Sequence, residues 1–178
     1  MTVVVLGFGA FGPVPENPSA RIASAVDGLR IGAKNLTVVG RTMPVSYGRS
    51  YEFTRSVIAE VQPVFVLGIG VATGRVGPMV ERYGRNLASA SVPDVDDVVL
   101  TDHGAGASTL ECDWAVPLAM ALRLPVSDDA GEYVCNSWLY RALRAELPAA
   151  FLHVPLSGYA PEALAAGLGR FFDAAALG

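Results

Sequence analysis

Two cysteines and two histidines are the residues of this chain best suited to nucleophilic and acid–base chemistry. Cys135 follows a turn cluster, Asp128 to Gly131, and opens a stretch whose apolar residues fall at helical spacing. The partial positive charge at a helix N-terminus favours a nucleophilic thiolate. Packing is the alternative role for Cys135, because free cysteines are among the most buried residue types.

Cys112 is the second cysteine, and it opens another predicted helix within LECDWAVPLAM. No strand is predicted directly before it, whereas α/β proteins bind ligands beyond the carboxyl ends of their strands. We therefore expect a structural role for Cys112. Two cysteines and two histidines form neither a disulfide framework nor a zinc-binding spacing, so we expect no metal and no other cofactor.

A cysteine nucleophile needs a general base, and histidine is the natural one. His153 lies in FLHVP at the carboxyl end of a predicted strand, and His103 lies in a glycine-rich loop. A structural role is the alternative for either histidine. A catalytic imidazole also needs an acceptor that fixes its tautomer. The candidate acceptors are Glu81, Asp129 and Glu132.

Short apolar runs alternate with helix-length segments, which predicts an α/β fold whose mostly parallel or mixed sheet is covered by helices on both faces. The predicted strands are Thr2–Leu6, Leu36–Val39, Val64–Gly68 and Ala149–Val154. The predicted helices are Pro18–Val26, Tyr47–Val61, Cys112–Leu122, Val134–Leu147 and Pro161–Ala176. We interpret Met79–Val92 as a strand or bent strand, and Ser91–Ser108 as a long loop.

The composition indicates a globular protein with one domain, spanning residues 1–178. With 52% hydrophobic and 17% charged residues, the chain can bury one sizeable core. A net charge of −4 without a basic cluster argues against nucleic acid as a partner. The apolar runs are too short to span a membrane, and the N-terminus has no signal-peptide pattern. We therefore expect a soluble, cytoplasmic protein with no membrane partner.

Gly7 to Gly12 reads GFGAFG after a predicted strand, which matches the dinucleotide-binding pattern G-x-G-x-x-G. In that motif a helix begins among the glycines and its N–H groups bind pyrophosphate. Here Pro15 and Pro18 prevent a helix from starting before about Pro18. A nucleotide-dependent reductase is therefore a minor alternative, and Phe8 and Phe11 are either core residues or an aromatic pair at the mouth of the sheet.

Five segments together resemble the pyroglutamyl peptidase I family, the pyrrolidone carboxyl peptidases. In chain order they are GFGAFG-x-x-x-x-NPS, GVATGR, ERYGRN, SDDAGEYVCN and FLHVP. They keep the family's order over nearly the whole chain, so the combination is more specific than any one motif. The resemblance implies an α/β/α sandwich and a cytosolic homo-oligomer, either a dimer or a tetramer. The roles of Arg75 and Arg82 stay open.

The resemblance also implies a catalytic triad. Cys135 matches the family's nucleophile, His153 matches the base of the H-V-P motif, and Glu81 matches the glutamate that completes the triad. The implied activity is that of a cysteine exopeptidase that removes an N-terminal pyroglutamyl residue through an acyl-enzyme, with Phe8 and Phe11 flanking the lactam ring. The implied partner is a peptide with an N-terminal pyroglutamate.

The first loop departs from the family pattern G-F-E-P-F-G-G, because Gly9, Ala10 and Pro13 replace the glutamate, the proline and the second glycine. The chain is also shorter between Asp94 and Thr109 and around Leu147 to Ala150. Glycine in place of a more restricted residue frees the backbone and can loosen the pocket rim. The alternative function is that of a homologue that binds a small lactam or peptide end with weak or no hydrolysis.

Overall fold

Strands and helices alternate along the chain in the computed structural model, which describes residues 1–12 and 14–174. In these residues the strands are β1 Thr2–Phe8, β2 Arg30–Ile31, β3 Leu36–Met43, β4 Phe65–Val71, β5 Met79–Glu81, β6 Tyr83–Arg85, β7 Thr109–Glu111, β8 Val126–Ser127 and β9 Ala149–Val154. The helices are α1 Pro18–Val26, α2 Arg49–Val61, α3 Ala115–Leu122, α4 Val134–Arg144 and α5 Pro161–Ala174.

Seven of these strands form one mixed sheet, in the order β2-β3-β1-β4-β9-β5-β8. The four central strands β3, β1, β4 and β9 run parallel to one another. At the two sides, β2 is antiparallel to β3 and β5 is antiparallel to β9, while β8 runs parallel to β5. β6 and β7 pair in a separate two-stranded antiparallel sheet.

Helices cover both faces of the large sheet and divide the core into two hydrophobic clusters. On one face Ile22 of α1, Leu118 of α3 and Leu164 of α5 pack against the strands. On the other face Val57 of α2 and Trp138 of α4 do so. Successive side chains of a strand point to opposite faces, so a strand covered on both sides is apolar throughout. The predicted α/β/α sandwich with a mixed sheet is confirmed.

Two glycines allow α1 to lie close to the sheet. A Cβ at Gly7 would lie 2.1 Å from the carbonyl oxygen of Ser19, and a Cβ at Gly40 would lie 1.8 Å from that of Ala23. Asn17 caps α1, because its side-chain oxygen accepts a hydrogen bond of 3.0 Å from the backbone N–H of Ser19. The first glycine of GFGAFG therefore serves helix packing, and α1 begins where the prolines predict.

The predicted strands occupy the right places, but three of the four end too early. β1, β3 and β4 extend to Phe8, Met43 and Val71, whereas β9 and α1 have the predicted bounds. α2 begins two residues later than predicted, and α4 ends three residues earlier. Residues 175 and 176 of the last predicted helix lie outside the described residues.

Two predictions fail next to Cys112. α3 begins at Ala115 and not at Cys112, and β7 does directly precede Cys112. The reason is that the backbone N–H of Cys112 donates to the carbonyl of Arg82 at 2.7 Å, which continues the pairing of β6 with β7. The segment Met79–Val92 contains two three-residue strands rather than one. Residues 86–108 contain no helix or strand, which confirms the predicted loop Ser91–Ser108 and extends it back into the predicted strand.

Candidate active site

The carboxyl ends of β4 and β9 place a glycine beside a histidine. Gly70 of β4 and His153 of β9 are partners in the parallel register, and Met79 of β5 lies opposite His153 on the other side. Residues two apart on a strand share a face of the sheet. Glu81 of β5 therefore lies on the same face as His153, and this is the face that α4 covers.

Cys135 is the second residue of α4, and its sulfur lies over Gly70. A Cβ at Gly70 would lie 2.6 Å from Sγ, so a glycine is needed here to leave room for the thiol. The helix is held in place by Trp138, whose Nε1 donates to Oγ1 of Thr54 in α2 at 2.8 Å. Because Gly70 neighbours His153, the thiol and the imidazole share one end of the sheet.

His153 and Glu81 form a buried pair. Nδ1 of His153 lies 2.7 Å from Oε1 of Glu81, and the two residues are 4% and 0% exposed. The ring of Phe151 packs edge-on against the imidazole, with 5.0 Å between the centroids. Because Nδ1 is bound to the carboxylate, Nε2 is the nitrogen that can exchange a proton with another group.

Asp129 and Glu132, the other candidate acceptors for the histidine, have different partners. The guanidinium of Arg85 donates to the carboxylate of Asp129, and the hydroxyl of Ser89 donates to that of Glu132. Both acidic residues line the same cavity as His153 but neither contacts its ring. Of the three candidates, Glu81 is the one that contacts the imidazole.

A cavity of about 780 Å³ opens beside this pair. Cys135, His153 and Arg75 all line it. Most of the remaining wall is apolar, and its members include Phe11, Val71, Ala90, Val92, Pro93, Val95 and Tyr133. A concave apolar site with a few convergent polar groups is the usual form of a small-molecule site.

Burial has the largest effect on the Cys135 thiol. Burial raises the pKa of Cys135 to about 12 and the charge of Glu81 acts in the same direction, whereas Arg75 and the backbone N–H of Cys135 itself lower it. The expectation that the helix N-terminus favours a thiolate therefore does not hold for the free protein. A raised pKa favours the protonated thiol, which needs a base to accept its proton before the sulfur can act as a nucleophile.

The N-terminus of α4 has no side-chain cap. Tyr133 occupies the N-cap position, and its side chain makes no capping hydrogen bond. The first N–H groups of a helix have no acceptor within the helix. The backbone N–H groups at the start of α4 can therefore donate to a negatively charged oxygen that lies next to the thiol.

Asn136 is a positioning residue that sequence reasoning did not assign. It is 0% exposed, and its Oδ1 accepts a hydrogen bond of 2.8 Å from the backbone N–H of Arg85. Its Nδ2 donates to the carbonyls of Arg85 and Leu87 at 2.9 and 2.7 Å. These bonds join the start of α4 to the segment that follows β5. The available signals were its place directly after Cys135 and its inclusion in the segment SDDAGEYVCN.

The two phenylalanines of the first loop have different environments. Phe11 lines the cavity, and its ring centroid lies 6.3 Å from that of Tyr133. Phe8 is 2% exposed, packs against Phe151 with 6.2 Å between the centroids, and is not among the residues that line the cavity. Because β1 extends to Phe8, strand alternation directs this side chain into the core. Phe8 thus supports the ring that packs against His153.

Hydrogen bonds hold the first loop, although its sequence departs from the family pattern. The backbone N–H of Gly9 donates to the carbonyl of Met43 at 2.9 Å, and Nδ2 of Asn17 donates to the carbonyl of Gly9 at 2.8 Å. Phe11 and Val14 exchange two backbone hydrogen bonds, of 3.1 and 2.7 Å. The loop is therefore closed on itself and presents Phe11 to the cavity.

Cys112 and His103 do not line this cavity. Cys112 is 2% exposed, its Sγ donates to the carbonyl of Ala149 at 3.3 Å, and burial raises its pKa to about 11. The ring of His103 stacks on Tyr140 with 5.4 Å between the centroids, and burial lowers the pKa of His103. Both residues have the contacts of structural side chains.

Within residues 1–12 and 14–174, no cluster of three or more His, Cys, Asp and Glu side chains has the arrangement of a metal site. In the same part of the chain, each helix is too short or too polar to cross a lipid bilayer.

Comparison with known proteins gives consistent matches. The model of the pyroglutamyl peptidase family matches residues 1–168. The pyrrolidone-carboxylate peptidases of Pyrococcus furiosus and Enterobacter sp. (strain 638) are 31% and 34% identical to the chain; the alignments cover 96% and 94% of it and 86% and 82% of the relatives. The structure of pyrrolidone carboxyl peptidase from Thermococcus litoralis superposes with a TM-score of 0.84 at 25% identity, covering 96% of this chain and 91% of that one.

The fold, the cavity and these matches place the protein among the cysteine peptidases. Within that class, the chain belongs to the pyroglutamyl peptidase family. The resemblance stated from five short segments is thereby confirmed over most of the chain, and the nucleotide-dependent reductase is set aside.

Proposed function

We propose that this chain is a cysteine exopeptidase that removes N-terminal pyroglutamyl residues from peptides. The observation that carries the proposal is the 2.7 Å contact between Nδ1 of His153 and Oε1 of Glu81, beside a cavity that Cys135 also lines. Family membership supplies the reaction. In this proposal Cys135 is the nucleophile, His153 is the base and then the acid, and Glu81 orients the imidazole.

Acylation begins from the neutral thiol. Nε2 of His153 takes the proton of Cys135 while Sγ attacks the carbonyl carbon that joins the lactam ring to the next residue. Glu81 accepts the Nδ1–H hydrogen bond and stabilises the imidazolium that forms. The imidazolium then gives its proton to the leaving amine, the C–N bond breaks, and a pyroglutamyl thioester remains on Cys135.

Deacylation uses the same groups in the opposite order. His153 takes a proton from a water molecule as the water oxygen attacks the thioester carbonyl, and it returns that proton to the sulfur of Cys135 when pyroglutamate leaves. In both steps the carbonyl oxygen gains negative charge. The backbone N–H groups at the start of α4 are suited to stabilise this charge, since they adjoin the nucleophile and have no side-chain cap.

The apolar wall of the cavity suits an uncharged substrate group. A lactam ring is flat and carries no charge, so aromatic and aliphatic contacts can bind it without an ionic partner. Phe11, whose ring lies near that of Tyr133, is placed for such a contact. Phe8 would contribute indirectly, by packing against Phe151. The reaction as proposed needs no metal or other cofactor.

The proposal extends to the form and location of the protein. We propose one domain over residues 1–178, a cytoplasmic location and a homo-oligomer, either a dimer or a tetramer. Free cysteines suit a reducing compartment. Exposed apolar side chains such as Met120, at 76%, and Val76, at 104%, are of the kind that subunit contacts bury. Sedimentation of the purified protein measures the oligomeric state.

The reaction is tested with a fluorogenic amide of pyroglutamate. The wild-type protein is expected to release the fluorophore, and the prolyl amide, which has a charged amine and no lactam carbonyl, is expected to be a poor substrate. Cys135→Ala is expected to lower kcat/KM by about 10³-fold or more, and His153→Ala and Glu81→Gln each by about 10²-fold or more. A wild-type rate no higher than that of Cys135→Ala would end the proposal. Thermal stabilisation by a lactam without turnover would instead support the binding-only homologue.

A further inference from the structure

Arg75 joins the parts of the proposed triad through a single guanidinium group. It lies between β4 and β5 and lines the cavity. Its Nη1 donates to Oε1 of Glu81 at 2.5 Å. Its Nη2 donates to Oγ of Ser127 at 3.0 Å and to the carbonyl of Asp129 at 2.6 Å. Arg75 therefore binds both the acid of the triad and the segment that leads from β8 to the nucleophile.

The buried carboxylate of Glu81 needs a cation. Glu81 is 0% exposed, Oε1 is shared between Arg75 and His153, and Oε2 has no hydrogen-bond partner. A base must be neutral before it accepts a proton, so His153 cannot balance the charge of Glu81 in the resting state. An unpaired buried charge is costly, whereas an arginine is always protonated. Among the described residues, Arg75 is the permanent cation in contact with Glu81.

The other carboxylates on the surrounding segments are occupied elsewhere. Each has a partner of its own, which makes it a weak competitor for the guanidinium of Arg75. They are Asp128, paired with Arg82; Asp129, paired with Arg85; Glu132, bound by Ser89; and Asp94, bound by the backbone N–H groups of Tyr47, Asp96 and Val98. Cys135 lines the same cavity as Arg75.

We propose that Arg75 is a positioning residue of the reaction, which keeps Glu81 ionised and aimed at His153 while it fixes the segment that leads into Cys135. The inference rests on the proposed function, because it assigns a role relative to that triad. It separates two contributions of one side chain. The positive charge acts on Glu81, and the two hydrogen bonds of Nη2 act on the position of the loop before α4.

Arg75→Met and Arg75→Lys test the two contributions. Removing the cation makes the His153–Glu81 pair bind its proton more readily, so the acidic limb of the kcat/KM profile of Arg75→Met is expected to move to higher pH. Its kcat at the optimum is expected to fall by about 10²-fold with little change in KM. Arg75→Lys keeps the charge but not the forked hydrogen bonds, so kcat falls while the acidic limb stays near that of the wild type.

The matched control is Arg82→Met. Arg82 pairs with Asp128, in the same segment before α4 that Arg75 binds, but it does not line the cavity. The pH profile of kcat/KM for Arg82→Met is expected to match that of the wild type. A raised KM in Arg75→Met, with unchanged kcat and an unchanged acidic limb, would show that Arg75 binds substrate and would overturn the proposal. So would an Arg75→Lys variant with wild-type kcat. If Arg75→Met does not fold, kcat of Arg75→Lys alone tests the proposal.

A second readout needs no turnover. The chain has two histidines, so NMR titration of the imidazole signals, with His103→Gln for assignment, follows His153 in the free protein. The titration midpoint of His153 is expected to be higher in Arg75→Met than in the wild type. An unchanged midpoint contradicts the charge role of Arg75. A moved midpoint in a protein that does not cleave the pyroglutamyl amide supports the Arg75 inference and rejects the proposed function alone.

Discussion

Cys135 and Cys112 are two free thiols whose pKa is raised by burial, to about 12 and about 11, yet their surroundings differ. Cys112 is closed off in the core and donates its hydrogen to the carbonyl of Ala149. Cys135 lines a cavity together with His153, and Nδ1 of His153 binds the buried carboxylate of Glu81. Acidity of the thiol does not distinguish the two sites. Access and a nearby proton acceptor do.

The two regions also differ in what the sheet provides. Cys112 belongs to the cluster in which α1, α3 and α5 pack on the sheet, where the contacts are apolar. Cys135 lies on the opposite face, above a glycine and beside polar side chains at the strand ends. In this fold one face supplies stability through uninterrupted packing. The other face contains a cavity at the carboxyl ends of the strands, and the proposed chemistry takes place in that cavity.

The largest expected difference between the two thiols is in activity. Cys135→Ala removes the proposed nucleophile and is expected to lower kcat/KM for the pyroglutamyl amide by about 10³-fold or more. Cys112→Ala is expected to stay within about twofold of the wild type, because its sulfur touches no part of the cavity. Steady-state kinetics on both variants makes the comparison. Equal losses in the two would contradict it.

A smaller loss is expected when the space beneath Cys135 is filled. Gly70→Ala places a methyl group 2.6 Å from Sγ and 2.9 Å from the ring of Phe151, so the thiol must move. We expect a loss of about 10²-fold in kcat, with about 1–3 kcal/mol of destabilisation from overpacking.

Gly68→Ala is the matched control for Gly70→Ala. Its methyl group would lie 2.6 Å from Phe151 and 2.7 Å from Trp138, so its nearest neighbours are aromatic rings and not the sulfur. A similar fall in stability with a much smaller fall in kcat is expected, as measured by denaturant unfolding and steady-state kinetics. Equal losses of kcat would show that overpacking in general, and not displacement of the thiol, impairs the site.

Alkylation distinguishes the two thiols without substrate. The thiolate is the reactive form, so a pKa of about 12 predicts that the rate for Cys135 with iodoacetamide rises by about tenfold per pH unit between pH 7 and 10. Cys112 is expected to react more slowly at each pH, because it is enclosed. Peptide mass mapping assigns the label. A plateau for Cys135 near neutral pH would indicate a thiolate–imidazolium pair in the free protein.

The smallest expected effect concerns the stability of the Cys112 region. Cys112→Ala leaves a small void and removes the hydrogen bond to Ala149, which predicts a loss of about 1–2 kcal/mol in the free energy of unfolding. Cys135→Ala removes a sulfur that faces a cavity, and a smaller loss is expected. Urea denaturation of the two variants measures both. A larger loss for Cys135→Ala would reverse the assignment of Cys112 as the structural thiol and Cys135 as the cavity-lining thiol.

Much of the frame could be predicted from the sequence, for identifiable reasons. Buried parallel strands are continuous apolar runs, so the sequence indicated β1, β3, β4 and β9. The prolines indicated the start of α1. A strand was predicted around Glu81, but its division into two strands of three residues could not be predicted. Three residues are too few for a periodic pattern, and their pairing depends on β9 and β7, which lie far away in the chain.

The site was predicted in part. Cys135 was indicated by its place at a helix start and His153 by its place at a strand end. Those signals alone left three acids open as partners of the imidazole, and the family resemblance indicated Glu81. The contact between His153 and Glu81 depends on the antiparallel register of β5 with β9, which no local pattern encodes. The raised pKa of Cys135 was missed for a similar reason. The helix N-terminus is visible in the sequence, whereas the burial that outweighs it is a property of the packed structure.

The central claim is that Cys135 carries the pyroglutamyl group during the reaction. Rapid acid quenching during turnover of the pyroglutamyl amide, followed by mass spectrometry of the digested protein, tests it most directly. The account predicts a mass increase of one pyroglutamyl group on the peptide that contains Cys135, absent from Cys135→Ala and from the peptide that contains Cys112. Turnover with no adduct on Cys135, or an adduct on Cys112, would contradict it.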